Sequence, residues 1–174
     1  PYTTLFRSIG PSDEAPYLRA ARAALRLIAP HEMGELFKVL ILGRGLELPL
    51  LGLRSGDSVI QIRRILSFGG KPTILEDIWL PASLFKGLTS DMLTHHQGPT
   101  YALFEDQFGV RMIRADERLR AIAADRVSAQ LLQVAEGSPL LLVERVTYTY
   151  GNKPVEWRRG FYSTQKHVYL NELS

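Results

Sequence analysis

The chain has 174 residues, a formal charge of +3, 45% hydrophobic content and no cysteine. That length suffices for one domain with its own core, the lack of cysteine removes disulfide frameworks and thiolate metal sites, and so mild a charge does not by itself mark a nucleic-acid-binding surface. No apolar run is long enough to cross a bilayer and no signal-peptide pattern opens the chain, so a cytoplasmic protein with no membrane partner is expected.

Pro1–Ser8, PYTTLFRS, reads as translated sequencing adapter, which implies that the natural protein continues upstream. Residues 9–35 read as linker and connector. Pro16 opens a helical pattern with Leu18, Ala21, Leu25 and Ile28 on one stripe, Arg19, Arg22 and Arg26 on a solvated face, and Pro30 as the stop. Leu36–Leu42 is a β-rich run that Gly43-Arg44-Gly45 breaks. Leu46–Leu53 is a compact apolar segment, a short helix or turn expected to pack under the hairpin that follows.

That hairpin occupies Gly56–Pro81. Both arms alternate at period two and are rich in Ile and Leu. One face of the first arm carries Ile60, Ile62, Arg64, Leu66 and Phe68, and one face of the second carries Ile74, Glu76, Ile78 and Leu80. A three-residue loop, Gly69-Gly70-Lys71, with Phe68 opposite Pro72, makes these faces coincide; a two-residue loop would part them. In the preferred register Arg64 lies across from Glu76. A charge inside an apolar face costs several kcal/mol, on the order of the penalties for unpaired buried ions, unless it is paired. Arg64 and Glu76 therefore either satisfy each other or line a ligand cavity.

Ser83–Phe85 suggests a helical turn, and His95-His96 lacks neighbouring ligand types at metal-binding spacing, so these are taken as exposed loop histidines and no metal site is expected. Pro99–Gly109 reads as a helix with Thr100 as N-cap, Leu103, Phe104 and Phe108 as its apolar stripe, and Gly109 as its stop. Its free N–H groups and the Thr100 hydroxyl could hold a carboxylate or phosphate. Val110–Ala124 alternates again, with Ile113, Ala115, Leu119, Ala121 and Ala123 on one face and Arg114, Asp116, Arg118 and Arg120 on a solvated one. Asp125 caps a helix containing Val127, Leu131, Leu132 and Val134, ended by Gly137. The last hairpin, Leu140–Tyr162, turns at Gly151-Asn152. Its expected core face holds Leu142, Val146, Tyr148, Val155, Trp157 and Phe161, with Glu144 opposite Arg159. Arg145, Thr147, Glu156, Arg158 and Tyr162 share the other face. Strand-rich and antiparallel with two or three helices, the pattern is α+β. No phosphate-cradling glycine loop, Gly-x-Ser-x-Gly elbow or His-Glu-x-x-His helix occurs, and no cofactor is implied.

The ordered set Gly56-Asp57, Ile62-Arg63-Arg64, Gly70-Lys71-Pro72, Glu76, Leu80-Pro81, Thr100-Tyr101, Pro139-Leu140-Leu141, Arg145, Pro154-Val155-Glu156 and Phe161-Tyr162 resembles the UTRA domain, the effector-binding domain of HutC-type regulators in the GntR family. The resemblance implies a chorismate-lyase-like fold over 36–174, an antiparallel β-sheet with flanking helices. It also implies a winged helix-turn-helix upstream, so that operator DNA is met through that missing N-terminal domain, and a homodimer. The effector would be a small molecule: a carboxylate, sugar or phosphosugar. The positions that match the family's pocket are Arg64, Glu76, Thr100, Tyr101, Glu156 and Tyr162, with Arg111 just after the helix as a weaker match. Two departures weaken the case for a phosphate. Leu66 stands where phosphosugar binders tend to carry a second Arg, and the final turn reads Ser163-Thr164-Gln165-Lys166-His167 where the family often has Arg-x-Asp-Arg-Tyr. The competing expectations are a chorismate-lyase-like enzyme using Arg64 and Glu76 on a small carboxylate, and a stand-alone binding module.

Overall fold

The computed structural model describes residues 33–42, 49–54 and 57–169. The adapter-like start, the expected Pro16–Pro30 helix and the Gly43-Arg44-Gly45 break lie outside these residues. The described strands are β1 (Met33–Leu42), β2 (Val59–Phe68), β3 (Lys71–Pro81), β4 (Arg114–Ala123), β5 (Pro139–Thr149) and β6 (Lys153–Ser163). They form one sheet in the order β1-β2-β3-β6-β5-β4, every described pair antiparallel. Among the described residues three α-helices accompany it: α1 (Ser90–His95), α2 (Thr100–Phe108) and α3 (Arg126–Leu132). The architecture is α+β.

The β2–β3 register places Arg64 against Glu76, Ile62 against Ile78 and Ile60 against Leu80, as the alternation predicts. The turn differs from the expectation. Only Gly69 and Gly70 form it, at φ +56° and +73°, the left-handed values that a two-residue primed turn demands. Phe68 then pairs with Lys71, which alone would put the two apolar faces on opposite sides. A bulge corrects it: Ser67 pairs with Pro72 and Leu66 with Ile74, leaving Thr73 as the extra residue. The last hairpin repeats the device. Its connection is a 3₁₀ turn over Tyr150–Asn152, Tyr148 pairs with Pro154 rather than flanking Val155, and the extra residue is Val155. Beyond the bulge Val146 meets Trp157, Glu144 meets Arg159 and Leu142 meets Phe161, as expected.

The two faces bury different things. The inner face packs Ile60, Ile62, Ile78, Leu80 and the bulged Val155 against Phe85, Leu93, Leu103 and Phe104 from the α1–α2 side. The outer face receives α3, where Leu75 and Leu140 meet Ala129 and Leu132 with Phe161 beside them. Further along it, Leu51 of a 3₁₀ turn (Pro49–Leu51) packs on Val59 and on Trp79, whose ring stacks on Trp157 at 4.3 Å. Val155 and Trp157, expected on one face, are thus parted by the bulge.

The helix ends follow local chemistry. Asp125 caps α3, accepting from the Ser128 N–H at 2.7 Å. That helix closes earlier than Gly137, because Gln133 takes the left-handed C-cap at φ 54°. Gly109 ends α2 at φ 64° as expected. Thr100 is not the cap of α2: Pro99 holds that position without a side-chain bond, and Thr100 is the first helical residue. Its hydroxyl is therefore available to the sheet. His95 lies in the last turn of α1, bonded to the Asp91 carbonyl rather than in a loop.

Candidate functional site

On the inner face, successive strands present charged residues at neighbouring positions of the ladder. β2 brings Arg64, β3 Glu76, β6 Glu156 and Arg158, β5 Arg145 and Thr147, and β4 Glu117. Cross-strand pairing sets Arg64 beside Glu76 and Glu76 beside Gly160, and one step along it sets Ile78, Arg158, Arg145 and Glu117 in a row. Period-two geometry makes all of these side chains emerge on one side.

They join into one chain of contacts. Arg64 Nε donates to Glu76 Oε2 at 2.5 Å, and its Nη1 to the Thr100 hydroxyl at 3.0 Å. Arg158 bridges two carboxylates. Its Nη1 reaches Glu76 at 3.2 Å, and its Nε and Nη2 reach Glu156 at 3.2 and 2.9 Å. The Tyr101 hydroxyl donates to Glu156 at 2.7 Å, lies 3.3 Å from Thr147 Oγ1 and accepts from Arg145 at 3.5 Å. Arg145 Nε donates to Glu117 at 2.6 Å. Three arginines and three glutamates thus alternate, and most are nearly inaccessible, with Glu156 0% and Arg145 3% exposed.

Burial alone would raise the Glu76 carboxyl, but Arg158 and Arg64 outweigh it and hold it at about 2. For Arg158, burial opposes the charge, and Glu156 and Glu76 more than restore it, leaving the group above its ordinary value. Arg145 is likewise displaced upward against its burial, with Tyr101 and Glu117 restoring the charge. The Tyr101 phenol is raised by burial and by Glu156, and the Tyr162 phenol is pushed up to about 12 by burial and by Glu76. All five groups are moved away from neutrality, whereas a general acid or base works best poised near it. These groups can present fixed charges and hydrogen-bond donors. Guanidiniums offer paired N–H groups that match a carboxylate or phosphate.

Of the expected site residues, Arg64, Glu76, Thr100, Tyr101 and Glu156 come together in this network, and Tyr162 lies beside it over Gly160 and within the field of Glu76. Arg111 stands at the opposite end of α2 from Thr100, 3.3 Å from Glu105 and 3.4 Å from the Tyr150 hydroxyl. Sequence reasoning missed Arg145, Arg158, Thr147 and Glu117 as members. The first three share a strand face with Glu156 and Tyr162, and that parity was the available signal. That face was set opposite the presumed core, yet it is buried: Thr147 is 1% and Arg158 7% exposed. Glu117 was passed over within the apolar face of β4, where it is the charged partner that Arg145 needs. No group of three or more potential metal ligands occurs among the described residues.

Gly160 makes room for Tyr162. A β-carbon at Gly160 would lie 2.5 Å from Tyr162 Cε2. Gly160→Ala is expected to push the ring aside and cost about 1–3 kcal/mol in denaturant titration. An unchanged midpoint would mean that the ring moves freely.

Fold and inner face together define an α+β domain built around a polar, charge-paired interior. The profile of the UTRA domain matches residues 46–168, and the chain belongs to that family. Among solved structures it is similar to the ligand-binding domain of a candidate GntR-family transcriptional regulator from Bordetella bronchiseptica. The two are 47% identical with a TM-score of 0.77, over 84% of this chain and 95% of that one. Among curated proteins it is similar to the HTH-type transcriptional regulator Rv0792c of Mycobacterium tuberculosis, 35% identical over 56% of this chain and 37% of that protein. It is also similar to the transcriptional repressor PhnF of Mycolicibacterium smegmatis, 29% identical over 65% of this chain and 45% of that protein. The chain therefore spans less than half the length of these two relatives. They are transcriptional regulators, not enzymes, and this displaces the chorismate-lyase-like alternative.

Proposed function

We propose that this domain is the effector-sensing part of a bacterial GntR-type regulator. Its inner-face network, Arg64, Glu76, Thr100, Tyr101, Glu156 and Tyr162 with Arg145 and Arg158 added, binds a small polar molecule: a carboxylate, sugar or phosphosugar. The observation that carries this reading is the link between network and helix. Thr100 and Tyr101 tie the first turn of α2 to Arg64, Glu156 and Arg145. A ligand that takes over any of those bonds changes how α2 is held. Arg111, at the far end of α2, has no part in this reading.

In the whole regulator, a DNA-binding domain upstream of this one meets the operator in the cytoplasm, as a homodimer. The ligand favours an arrangement that fits the operator differently. By linkage, effector and operator then alter each other's affinity by the same factor. No helix among the described residues is long and apolar enough to cross a membrane.

The test is a thermal-shift screen of this chain against phosphosugars and small carboxylates. A ligand well above its dissociation constant should raise Tm by about 5 °C or more, and the rise should vanish in Arg64→Ala and shrink in Tyr101→Phe. A hit indifferent to both substitutions would place the site elsewhere. A hit that left the operator affinity of a full-length regulator unchanged would sink the regulatory half of the proposal.

A further inference from the structure

After β6 the chain does not leave the sheet. His167 packs its ring against Phe68 at 5.5 Å between centroids. Two residues on, the Tyr169 hydroxyl donates to Glu117 Oε2 at 2.7 Å. Phe68 is on β2 and shares the side of Arg64 and Leu66; Glu117 is on β4 with its carboxylate on Arg145. Both anchors thus belong to the inner face. Between β2 and β4 lie β3, β6 and β5, the strands that carry Glu76, Glu156, Arg158 and Arg145. The registers run from Glu117 through Arg145, Arg158 and Ile78 to Ile62, six residues along β2 from Phe68. The anchors are therefore set diagonally, roughly 19 Å apart across the four inter-strand spacings and about 20 Å apart along the strands. The backbone from His167 to Tyr169, with its two ring side chains and those of Phe68 and Glu117 reaching towards it, bridges this diagonal by passing over the strands between.

We propose that residues 164–169 form a strap across the charged inner face, latched by the Tyr169 hydroxyl on Glu117 and seated by His167 on Phe68. The strap governs entry to the ladder. This rests on the inner face being the effector site, and it adds how that site is closed.

Three features fit a latch. Thr164 to Val168 are exposed, Val168 at 88%, so little apolar burial holds the segment down and the two anchors carry its position. Glu117 accepts from Arg145 through Oε1 and from Tyr169 through Oε2, so the latch is the terminal bond of the ladder itself. The Tyr169 phenol is raised by burial and then by the Glu117 bond, so it remains a donor across the physiological range. A ligand that draws Arg145 away from Glu117 alters the carboxylate on which the strap is fastened.

Strap opening can be measured without the effector. Phenylglyoxal labels accessible guanidiniums, and peptide mass spectrometry resolves which arginine is labelled. In Tyr169→Phe, labelling of Arg145 and Arg158 should rise at least fivefold over wild type. His167→Ala, which removes the other anchor without touching Glu117, should give a rise of similar size. Arg63, on the outer face against Asp77, should keep its rate in both. Unchanged rates at Arg145 and Arg158 in either variant would overturn the strap, and so would a parallel rise at Arg63, which would signal general loosening. Because no ligand enters the assay, a failed strap is distinguishable from a failed effector site, which the thermal-shift screen addresses.

Discussion

Glu76→Gln is expected to lower unfolding stability by about 3–5 kcal/mol, the typical cost of removing one partner from a buried ion pair. Glu76 receives Arg64 at 2.5 Å and Arg158 at 3.2 Å, with its side chain 3% exposed. Glutamine keeps the shape but not the charge, so two guanidiniums held within 9% exposure lose their shared counter-ion. The outer face supplies the control. Glu144 and Arg159 lie 4.0 Å apart with side chains 24% and 37% exposed, and Glu144→Gln should cost less than about 1 kcal/mol. Urea titration of both variants checks the contrast. Equal losses would mean that burial does not distinguish the two faces.

The second large effect is acid sensitivity. Glu76 sits at about 2 in the folded protein against an ordinary 4.5. A carboxyl depressed on folding contributes stability that is fully present above its unfolded value and is lost as pH falls through the folded one. The window runs from about 4.5 down to about 2, and the loss from this group is on the order of 3 kcal/mol. Denaturation midpoints measured across that range should fall in wild type and fall less steeply in Glu76→Gln. Parallel curves would show that another carboxylate dominates acid unfolding.

Much of this was legible in the residues. The alternation of Ile60, Ile62 and Arg64 against Glu76, Ile78 and Leu80 carries the β2–β3 register, since a slip by one would turn every side chain over. Asp125 and Gly109 announced a helix start and a helix end. The turns were less legible because a bulge is invisible to period-two counting. Thr73 and Val155 look like ordinary strand residues, and only pairing shows each to be supernumerary. The site was half legible for a related reason. Apolar counting chose the Leu142, Val146 and Trp157 side of the last hairpin as the core. The buried side is as much the one bearing Arg145, Thr147, Glu156 and Arg158. Charges in a core become readable only when their partners are known, and Glu117 and Arg145 are 28 residues apart. Thr100 shows the limit of local reasoning: its residue type suits a cap, yet its partner is Arg64 from another part of the chain.

The paired bulges have a consequence for modularity. Each lies between a hairpin tip and the charged positions, so the length of the turn and the phase of the strand are set by separate residues. Residues added at Gly69-Gly70 or within Tyr150–Asn152 lengthen a turn outside the bulge, while Thr73 and Val155, both buried, hold the phase of Glu76 and Glu156. These tips are thus suited to diversification and to the grafting of peptides, labels or recognition loops, with the interior circuitry left in register.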